Sequence, residues 1–312
     1  MAKILINDGI HATGLQKLQD AGFEVSTDKI DQDDLMAQLP NYDAICVRSA
    51  TKVRQALIDN CPNLKVIGRG GVGLDNIDVD YARSKNISVV NTPAASSRSV
   101  AELVFAHLFS VSRSLYQANR QMPEDGDNNF KGLKKAYSKG FELEGKTLGV
   151  IGFGRIGQQT AKVALGVGMD VVASDPFVET ATIDLGRFGE VNVQTSSMDQ
   201  LLAEADVITL HIPFTGKAVL STEEFAKMKD GVVLINAARG GTVDEDALLE
   251  ALDNGKVAAA GLDVFENEPS PRQDLLQHPR LSLSPHIGAS TNEAQEKIGI
   301  ELADQLIDLL NK

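Results

Sequence analysis

Short, continuous apolar runs alternate along most of the chain with stretches in which apolar residues recur every three or four positions. The first pattern is typical of parallel strands covered on both faces, and the second of amphipathic helices. The predicted strands are 3–6, 24–26, 44–47, 66–67, 88–90, 147–151, 171–173, 207–210, 232–235, 258–262 and 281–284. Helices fit between them, including 12–21, 156–165 and 244–253, the last with Thr242 as its predicted cap. Repeated strand–helix units predict an α/β protein.

Two helical segments interrupt this alternation. Residues 99–120 form a long helical pattern, and residues 291–310 form a closing amphipathic helix. With 312 residues the chain suits two domains rather than one core. We therefore predict two doubly wound parallel-sheet domains linked by two crossing helices, with the active site in the cleft. A flavodoxin-like, discontinuous domain comprises 1–98 plus 289–312, and a Rossmann domain comprises 99–288. The polar segment 121–144 between them is predicted as a surface loop or a contact between protomers.

Composition narrows the class of partner. A formal net charge of −13 argues against nucleic acid or an anionic membrane surface. The apolar runs are too short for a membrane span, and the N-terminal run is predicted as a first strand rather than a signal peptide. Cys46 and Cys61 lie beside apolar segments and are predicted to be buried free thiols. We expect a cytoplasmic protein, and the sequence indicates no metal site.

The segment Thr147–Ile151 leads into a G-x-G-x-x-G turn built by Gly152, Gly154 and Gly157. Such a turn between a strand and a helix allows a tight bend, close approach of a pyrophosphate and close packing of the helix, whose N-terminus faces the phosphates. Asp175 closes the next predicted strand, where a carboxylate accepts hydrogen bonds from adenosine ribose and repels a 2′-phosphate. The pattern predicts a dinucleotide site and favours NAD over NADP.

A second glycine-rich loop, 68–76, follows another predicted strand but has neither a helix start nor a following acid. We interpret Gly70, Gly71 and Val72 as a nest of backbone N–H groups for a small carboxylate, with a plain tight turn as the alternative. Arg69 within the loop favours an anionic ligand. Arg48 and Lys52, after an earlier strand, are further phosphate-binding candidates, although solvated surface charges remain the simpler interpretation.

Two of the five histidines follow predicted strands at the sheet edge where ligands bind. His211 is one, and His286, in Ser284–Thr291, is the sharper candidate for proton exchange with a substrate hydroxyl. Glu268 is a candidate partner for its second nitrogen, and Arg239 a candidate anchor for a substrate carboxylate. His11, His107 and His278 are interpreted as structural.

These residues together resemble the D-2-hydroxyacid dehydrogenases over nearly the whole chain. The matching segments are 152–157 with Asp175, 236–241, 261–269 and 284–291, and segments 47–53, 68–78 and 90–93 are most similar to the phosphoglycerate dehydrogenases. The resemblance implies that His286 is the acid–base, Glu268 its partner and Arg239 the substrate anchor. It also implies that Asp263 lies near the nicotinamide. The other NAD contacts it implies, beside the three glycines and Asp175, are Arg155, Ile156, His211, Ile212, Pro213, Ala237 and Gly288.

The implied reaction is NAD-dependent oxidation of 3-phospho-D-glycerate to 3-phosphohydroxypyruvate, the first step of L-serine biosynthesis, in a homodimer. One alternative is a reductase of hydroxypyruvate, glyoxylate or D-lactate, and another is a non-catalytic NAD-sensing corepressor. Three departures from the family pattern stand out. The chain ends near the catalytic unit, so we expect no regulatory domain and no serine feedback. Residues 131–139 lack the usual aromatic-plus-arginine pattern. Arg98 stands where small or amide residues are commoner, and nothing in the sequence explains it.

Overall fold

Parallel sheets covered by helices form both halves of the chain. The computed structural model describes residues 1–311. Its contacts divide the chain into two compact units. Unit 1 comprises Met1–Ser99 and the segment from Ala289 onward, and unit 2 comprises Val100–Gly288. The α/β class of two doubly wound parallel sheets is confirmed.

The amino-terminal part of unit 1 builds a five-stranded sheet in the order β2-β1-β3-β4-β5, and every strand pair is parallel. Its elements are β1 (Lys3–Ile6), α1 (Ala12–Asp20), β2 (Glu24–Ser26), α2 (Leu35–Gln38), β3 (Ala44–Val47), α3 (Gln55–Asp59), β4 (Val66–Arg69), α4 (Val79–Ser84), β5 (Ser88–Asn91) and the start of α5 (Ser97–Ser112). The central strands are apolar because helices cover both of their faces.

Unit 2 builds a six-stranded parallel sheet in the order β13-β12-β11-β10-β6-β7 and a separate antiparallel hairpin, β8–β9. After α5 its elements are α6 (Leu115–Asp125), α7 (Phe130–Ala136), β6 (Thr147–Ile151), α8 (Arg155–Gly166), β7 (Asp170–Ser174), β8 (Thr180–Asp184), β9 (Glu190–Gln194), α9 (Met198–Glu204), β10 (Val207–Leu210), α10 (Thr222–Lys227), β11 (Val232–Asn236), α11 (Glu245–Asp253), β12 (Val257–Leu262), α12 (Gln273–Gln277) and β13 (Leu281–Leu283). The carboxyl ends of the parallel strands share one edge, where open α/β sheets bind ligands.

The last helix, α13 (Asn292–Leu310), returns to unit 1. Leu302 and Leu306 are buried against β1 and β3 residues such as Ile4. The helix also packs closely on α1, where a Cβ on Gly14 would lie 2.5 Å from the carbonyl oxygen of Gly299. Buried apolar surface on α13 therefore completes one face of the five-stranded sheet.

Several local predictions were wrong. The long helical pattern is two helices, α5 and α6, separated at Ser114, whose φ of 50° ends a helix. The polar segment 121–144 is not a loop throughout, since it contains the end of α6 and all of α7, and its predicted contact between protomers stays a prediction. Asp244, not Thr242, caps α11, and its side chain accepts from the Ala247 N–H. The hairpin β8–β9 was not predicted at all.

The prediction for the two cysteines is confirmed. Cys46 and Cys61 are free and buried, as expected, and burial raises the pKa of the Cys46 thiol to about 12. Among residues 1–311, no helix is both long and apolar enough to cross a membrane.

Candidate active site

The glycine turn after β6 forms a cradle with open space in front of a helix N-terminus. Gly152 has a φ of +90°, and a Cβ there would lie 2.7 Å from the carbonyl oxygen of His211. Only glycine tolerates this combination of left-handed backbone and close approach. A Cβ on Gly157 would overlap the carbonyl oxygen of Gly152, whereas one on Gly154 would meet nothing within 4 Å. The open side of the turn is therefore at Gly154, where the predicted pyrophosphate would lie.

Helix α8 begins directly at this turn. Its N-cap is Gly154, and no side chain caps the first N–H groups. The first intrahelical bond runs from the Gln158 N–H to the Gly154 carbonyl at 2.9 Å. The preceding N–H groups, including those of Arg155 and Ile156, are left for a ligand, and the helix dipole favours an anion there. This geometry fits a dinucleotide pyrophosphate.

Asp175, directly after β7, is tied to the glycine turn. Its Oδ2 accepts from the Phe153 N–H at 2.7 Å, and its Oδ1 accepts from the N–H groups of Phe177 and Val178 at 2.8 and 3.1 Å. A carboxylate has about four acceptor positions, so capacity remains on Oδ2 for a ribose hydroxyl. Asp175 thus ties the glycine turn to the end of β7 and offers an acceptor for a ribose hydroxyl.

His211, directly after β10, presents an orphaned polar atom beside the same turn. Burial lowers the pKa of His211 to about 3, so the ring is neutral. Its Nε2 is 3.3 Å from Thr209 Oγ1, while its buried Nδ1 has no hydrogen-bond partner among residues 1–311. A buried polar atom without a partner is costly unless a ligand or water satisfies it. Ile212 also belongs to the rim of the turn, since its Cγ2 lies 2.7 Å from a Cβ placed on Gly152.

His286 and Glu268 form a hydrogen-bonded pair at the same edge of the sheet. His286 Nδ1 lies 2.7 Å from Glu268 Oε2, and the two side chains are 37% and 35% exposed. Glu268 Oε1 accepts from the Phe265 N–H at 3.0 Å, which orients the carboxylate. His286 Nε2 has no partner among residues 1–311 and is left for a substrate. The arrangement matches that of a base whose second nitrogen is held by a carboxylate.

Charge around Glu268 keeps this carboxylate ionised. Burial alone would raise the pKa of Glu268, but the hydrogen bond and charge of His286, the Phe265 N–H and the positive charge of Arg239 together hold it below its ordinary value. The influence of Arg239 on Glu268 brings the three sequence-predicted residues into one electrostatic site. An ionised carboxylate stabilises the imidazolium that forms when His286 takes a proton.

The loop that carries Arg239 is held by residues the sequence reasoning did not assign to the site. Asn236, the last residue of β11, donates to the Arg239 carbonyl and to Thr242 Oγ1, both at 3.1 Å. Thr242 Oγ1 donates to the same carbonyl at 2.7 Å, which is why Thr242 is not the cap of α11. Ala237, a predicted NAD contact, is nearly buried in this loop. The loop therefore presents the half-buried Arg239 from a fixed backbone.

Asp263 is fully buried after β12 and holds the His286 segment. Its Oδ1 accepts from the Ser284 hydroxyl at 2.6 Å and from the Ile287 N–H at 2.8 Å, and its Oδ2 accepts from the Gly288 N–H at 2.8 Å. Its carbonyl accepts from the His286 N–H at 2.8 Å. Asp263 thus shapes the site through the backbone, and its predicted contact with the nicotinamide stays a prediction.

Unit 1 contains the predicted substrate loops. The chain from Arg48 to Thr51 is clamped by Asp8, whose Oδ2 accepts from the Arg48 N–H at 2.7 Å and whose Oδ1 accepts from the Thr51 hydroxyl at 2.8 Å. Asn76 donates to the Arg48 carbonyl at 2.8 Å. Lys52 is exposed. Sequence reasoning missed the clamp because it joins residues 40 positions apart.

The predicted nest after β4 loses two of its three donors. The Gly70 N–H donates to the Val47 carbonyl at 2.9 Å, and the Gly71 N–H donates to the Arg69 carbonyl at 3.0 Å. Because both N–H groups are spent on the backbone, only that of Val72 remains for an anion. Any anion recognition by this loop would therefore depend mainly on the guanidinium of Arg69.

A glycine turn open to a pyrophosphate and a histidine–carboxylate pair on the same sheet edge are the features of a nicotinamide-dependent dehydrogenase. Residues 105–288 match the NAD-binding domain of the D-isomer specific 2-hydroxyacid dehydrogenases. The chain belongs to this family.

Curated relatives extend the similarity to nearly the whole chain. A hydroxypyruvate reductase of Thermotoga maritima is 44% identical over 310 residues, covering 97% of both chains. A D-3-phosphoglycerate dehydrogenase of Archaeoglobus fulgidus is 42% identical over 311 residues, but the match covers 98% of this chain and only 57% of that protein. Among solved structures, the NAD+-bound 3-phosphoglycerate dehydrogenase of Entamoeba histolytica is 27% identical, with a TM-score of 0.81 over 100% of this chain and 96% of that one.

Proposed function

We propose that the chain oxidises 3-phospho-D-glycerate to 3-phosphohydroxypyruvate with NAD, the entry reaction of L-serine biosynthesis. The observation that carries the dehydrogenase chemistry is the 2.7 Å contact between His286 Nδ1 and Glu268 Oε2. Bound NAD would supply the acceptor for the hydride that leaves the substrate C2. The D-3-phosphoglycerate dehydrogenase relatives support the choice of substrate.

In this proposal His286 Nε2 accepts the proton of the substrate hydroxyl while the C2 hydride leaves. The developing imidazolium is stabilised by the ionised Glu268, which also holds the proton on Nδ1 so that Nε2 is the basic nitrogen. Arg239 binds the substrate carboxylate with its planar guanidinium, which permits two parallel hydrogen bonds. Its positive charge also favours the carbonyl oxygen that forms.

For cofactor choice, the N-terminus of α8 would bind the pyrophosphate and Asp175 the adenosine ribose. The orphaned His211 Nδ1 supports a bound ligand beside the turn. The carboxylate of Asp175 supports NAD rather than NADP, because a 2′-phosphate would be repelled by it and no arginine follows Asp175 closely in the sequence.

The phosphate of the substrate would be recognised by Arg48, Lys52 and Arg69 of unit 1. The parallel pairing of Val47 with Arg69 brings the first and last of these to neighbouring strand ends. The Asp8 clamp fixes the backbone of the Arg48 loop. These three cations would supply positive charge for an anionic group in a chain whose net charge is −13.

A second candidate is reduction of hydroxypyruvate. It is favoured by the Thermotoga maritima relative, which matches this chain over 97% of both lengths, whereas the chain spans only 57% of the phosphoglycerate dehydrogenase of Archaeoglobus fulgidus. The same His286, Glu268 and Arg239 would serve that reaction, with His286 donating the proton.

The test is NADH formation from 3-phospho-D-glycerate, D-glycerate and D-lactate, and NADH consumption with hydroxypyruvate and glyoxylate. The proposal expects kcat/KM to be highest for the phosphorylated acid, and Arg48→Ala to raise its KM by about tenfold without changing that of D-glycerate. Arg54→Ala is the matched control, since Arg54 is already paired with Asp78 at 2.9 Å. Higher kcat/KM for unphosphorylated acids, unchanged in Arg48→Ala, would instead select the second candidate.

A further inference from the structure

His107 is a buried histidine that the proposed reaction does not use. It lies on α5 and is 5% exposed, and both of its ring nitrogens face serine hydroxyls at the end of the sheet. Nδ1 is 2.9 Å from Ser282 Oγ, and Nε2 is 2.8 Å from Ser284 Oγ. Gly261 makes room for the ring, because a Cβ there would lie 2.6 Å from His107 Cβ. The sequence at 107 alone indicated only a structural role.

The donor and the acceptor of each hydrogen bond in this cluster follow from the protons that each group carries. Ser284 donates its single hydroxyl proton to Asp263 Oδ1 at 2.6 Å, so toward His107 its oxygen is the acceptor. His107 Nε2 therefore carries the proton of that bond. Burial lowers the pKa of His107 in spite of the raising effect of the Asp263 charge, so the ring is neutral near pH 7 and Nδ1 accepts from Ser282. The bonds that lead to Asp263 run from His107 Nε2 through Ser284, whereas Ser282 donates to the other side of the ring.

The far end of this chain of bonds is the backbone of the proton-transfer site. Besides the Ser284 hydroxyl, the Asp263 carboxylate accepts the N–H groups of Ile287 and Gly288. These residues directly follow His286, whose φ of 55° is unusual for a residue with a side chain. A non-glycine residue keeps such a conformation only where its surroundings determine it strongly.

We propose that His107 is a positioning residue for His286, acting through Ser284 and Asp263. The Nε2–H of His107 polarises the Ser284 hydroxyl, and this hydroxyl fixes the orientation of the Asp263 carboxylate. The carboxylate in turn holds the two backbone amides that follow His286. The effect of His107 on kcat rests on the proposed role of His286, but its effect on the backbone after His286 does not. Both are measurable.

The test compares His107→Phe, Ser284→Ala and the double variant with Ser282→Ala as the matched control. Ser282 contacts the same ring but not Asp263. We expect either of the first two variants to lower kcat by about tenfold with little change in KM. The kcat of the double variant is expected to be no lower than that of either single variant, because the two substitutions interrupt the same chain of bonds. Ser282→Ala is expected to stay within about twofold of the wild type.

Amide hydrogen exchange at Ile287 and Gly288 gives a readout independent of turnover. We expect exchange there to accelerate about tenfold in His107→Phe and Ser284→Ala but not in Ser282→Ala. His107→Gln, which keeps an N–H donor, should restore slow exchange. It also replaces His107→Phe in the comparison if the Phe variant does not fold. Unchanged exchange in His107→Phe or in Ser284→Ala, or additive kinetic losses in the double variant, would overturn the proposal. A wild-type enzyme without dehydrogenase activity but with the expected exchange pattern would overturn only the proposed function.

Discussion

Replacing Glu268 by glutamine is expected to harm the enzyme more than removing the side chain. Glu268 has two separate partners: the Phe265 N–H on Oε1 at 3.0 Å and His286 Nδ1 on Oε2 at 2.7 Å. A carboxylate accepts both bonds, whereas a glutamine has one acceptor and one donor group. If its oxygen keeps the Phe265 N–H, its NH2 faces Nδ1 and forces the histidine proton onto Nε2, the nitrogen that must accept the substrate proton.

The magnitude follows from two losses. A hydrogen bond to a charged group contributes about 1.5–3 kcal/mol, and the partial exposure of both side chains places this one near 1.5, about tenfold in rate. The donor–donor conflict in the glutamine variant adds about 1.4 kcal/mol, roughly another tenfold. We therefore expect kcat to fall about tenfold in Glu268→Ala and about a hundredfold in Glu268→Gln.

The assay is steady-state oxidation of the preferred 2-hydroxy acid, with the NAD dissociation constant measured separately by titration. Glu266→Gln, the same chemical change two residues away on an exposed side chain, is the control and should retain wild-type kcat. A glutamine variant as active as the wild type, or clearly more active than the alanine variant, would refute the assignment of Glu268 as the group that sets the His286 tautomer.

Three further predictions concern charge. Arg239→Lys should raise KM and lower kcat, together costing about a hundredfold in kcat/KM, because an ammonium cannot make two parallel bonds to a carboxylate. Asp175→Ala should weaken NAD binding by about tenfold or more. It should also reduce the preference for NAD over NADP, measured as the ratio of the two dissociation constants. Burial would raise the pKa of Asp206, but the Thr147 N–H and the Lys229 ammonium hold it below its ordinary value. The stability this carboxylate contributes is therefore present above about pH 4 and lost as pH falls through the folded-state pKa. Asp206→Asn should be less stable than the wild type in urea unfolding at pH 7, and the difference should shrink as pH falls below about 4. A difference independent of pH would contradict this assignment.

The parallel strands were predictable because burial on both faces demands continuous apolar runs. Five of them, including β6 and β10, have the predicted bounds, and the others differ by one or two residues at their ends. The hairpin β8–β9 was missed because its strands are mostly exposed and therefore lack a continuous apolar run. Only every second residue is apolar, as in Ile183 and Val193, and the positive φ values of Gly186 and Gly189 mark the turn. That alternation is the period-2 pattern of an exposed strand, so a signal for the hairpin was present in the sequence.

The site was predictable where local sequence dictates the chemistry and not where distant residues meet. The glycine turn, Asp175 and the strand-end position of His286 follow from spacing along the chain. In contrast, the bonds from His107 to Ser282 and Ser284 join residues 175 and 177 positions apart. The nest at Gly70 and Gly71 failed as a prediction because composition does not reveal whether an N–H group is already used by the backbone.

His286 is proposed to transfer the substrate proton in an NAD-dependent dehydrogenase. The most direct measurement is kcat for His286→Asn beside its NAD dissociation constant. We expect kcat to fall by at least about a hundredfold while NAD binds as in the wild type. Turnover equal to that of the wild type would remove His286 from the mechanism.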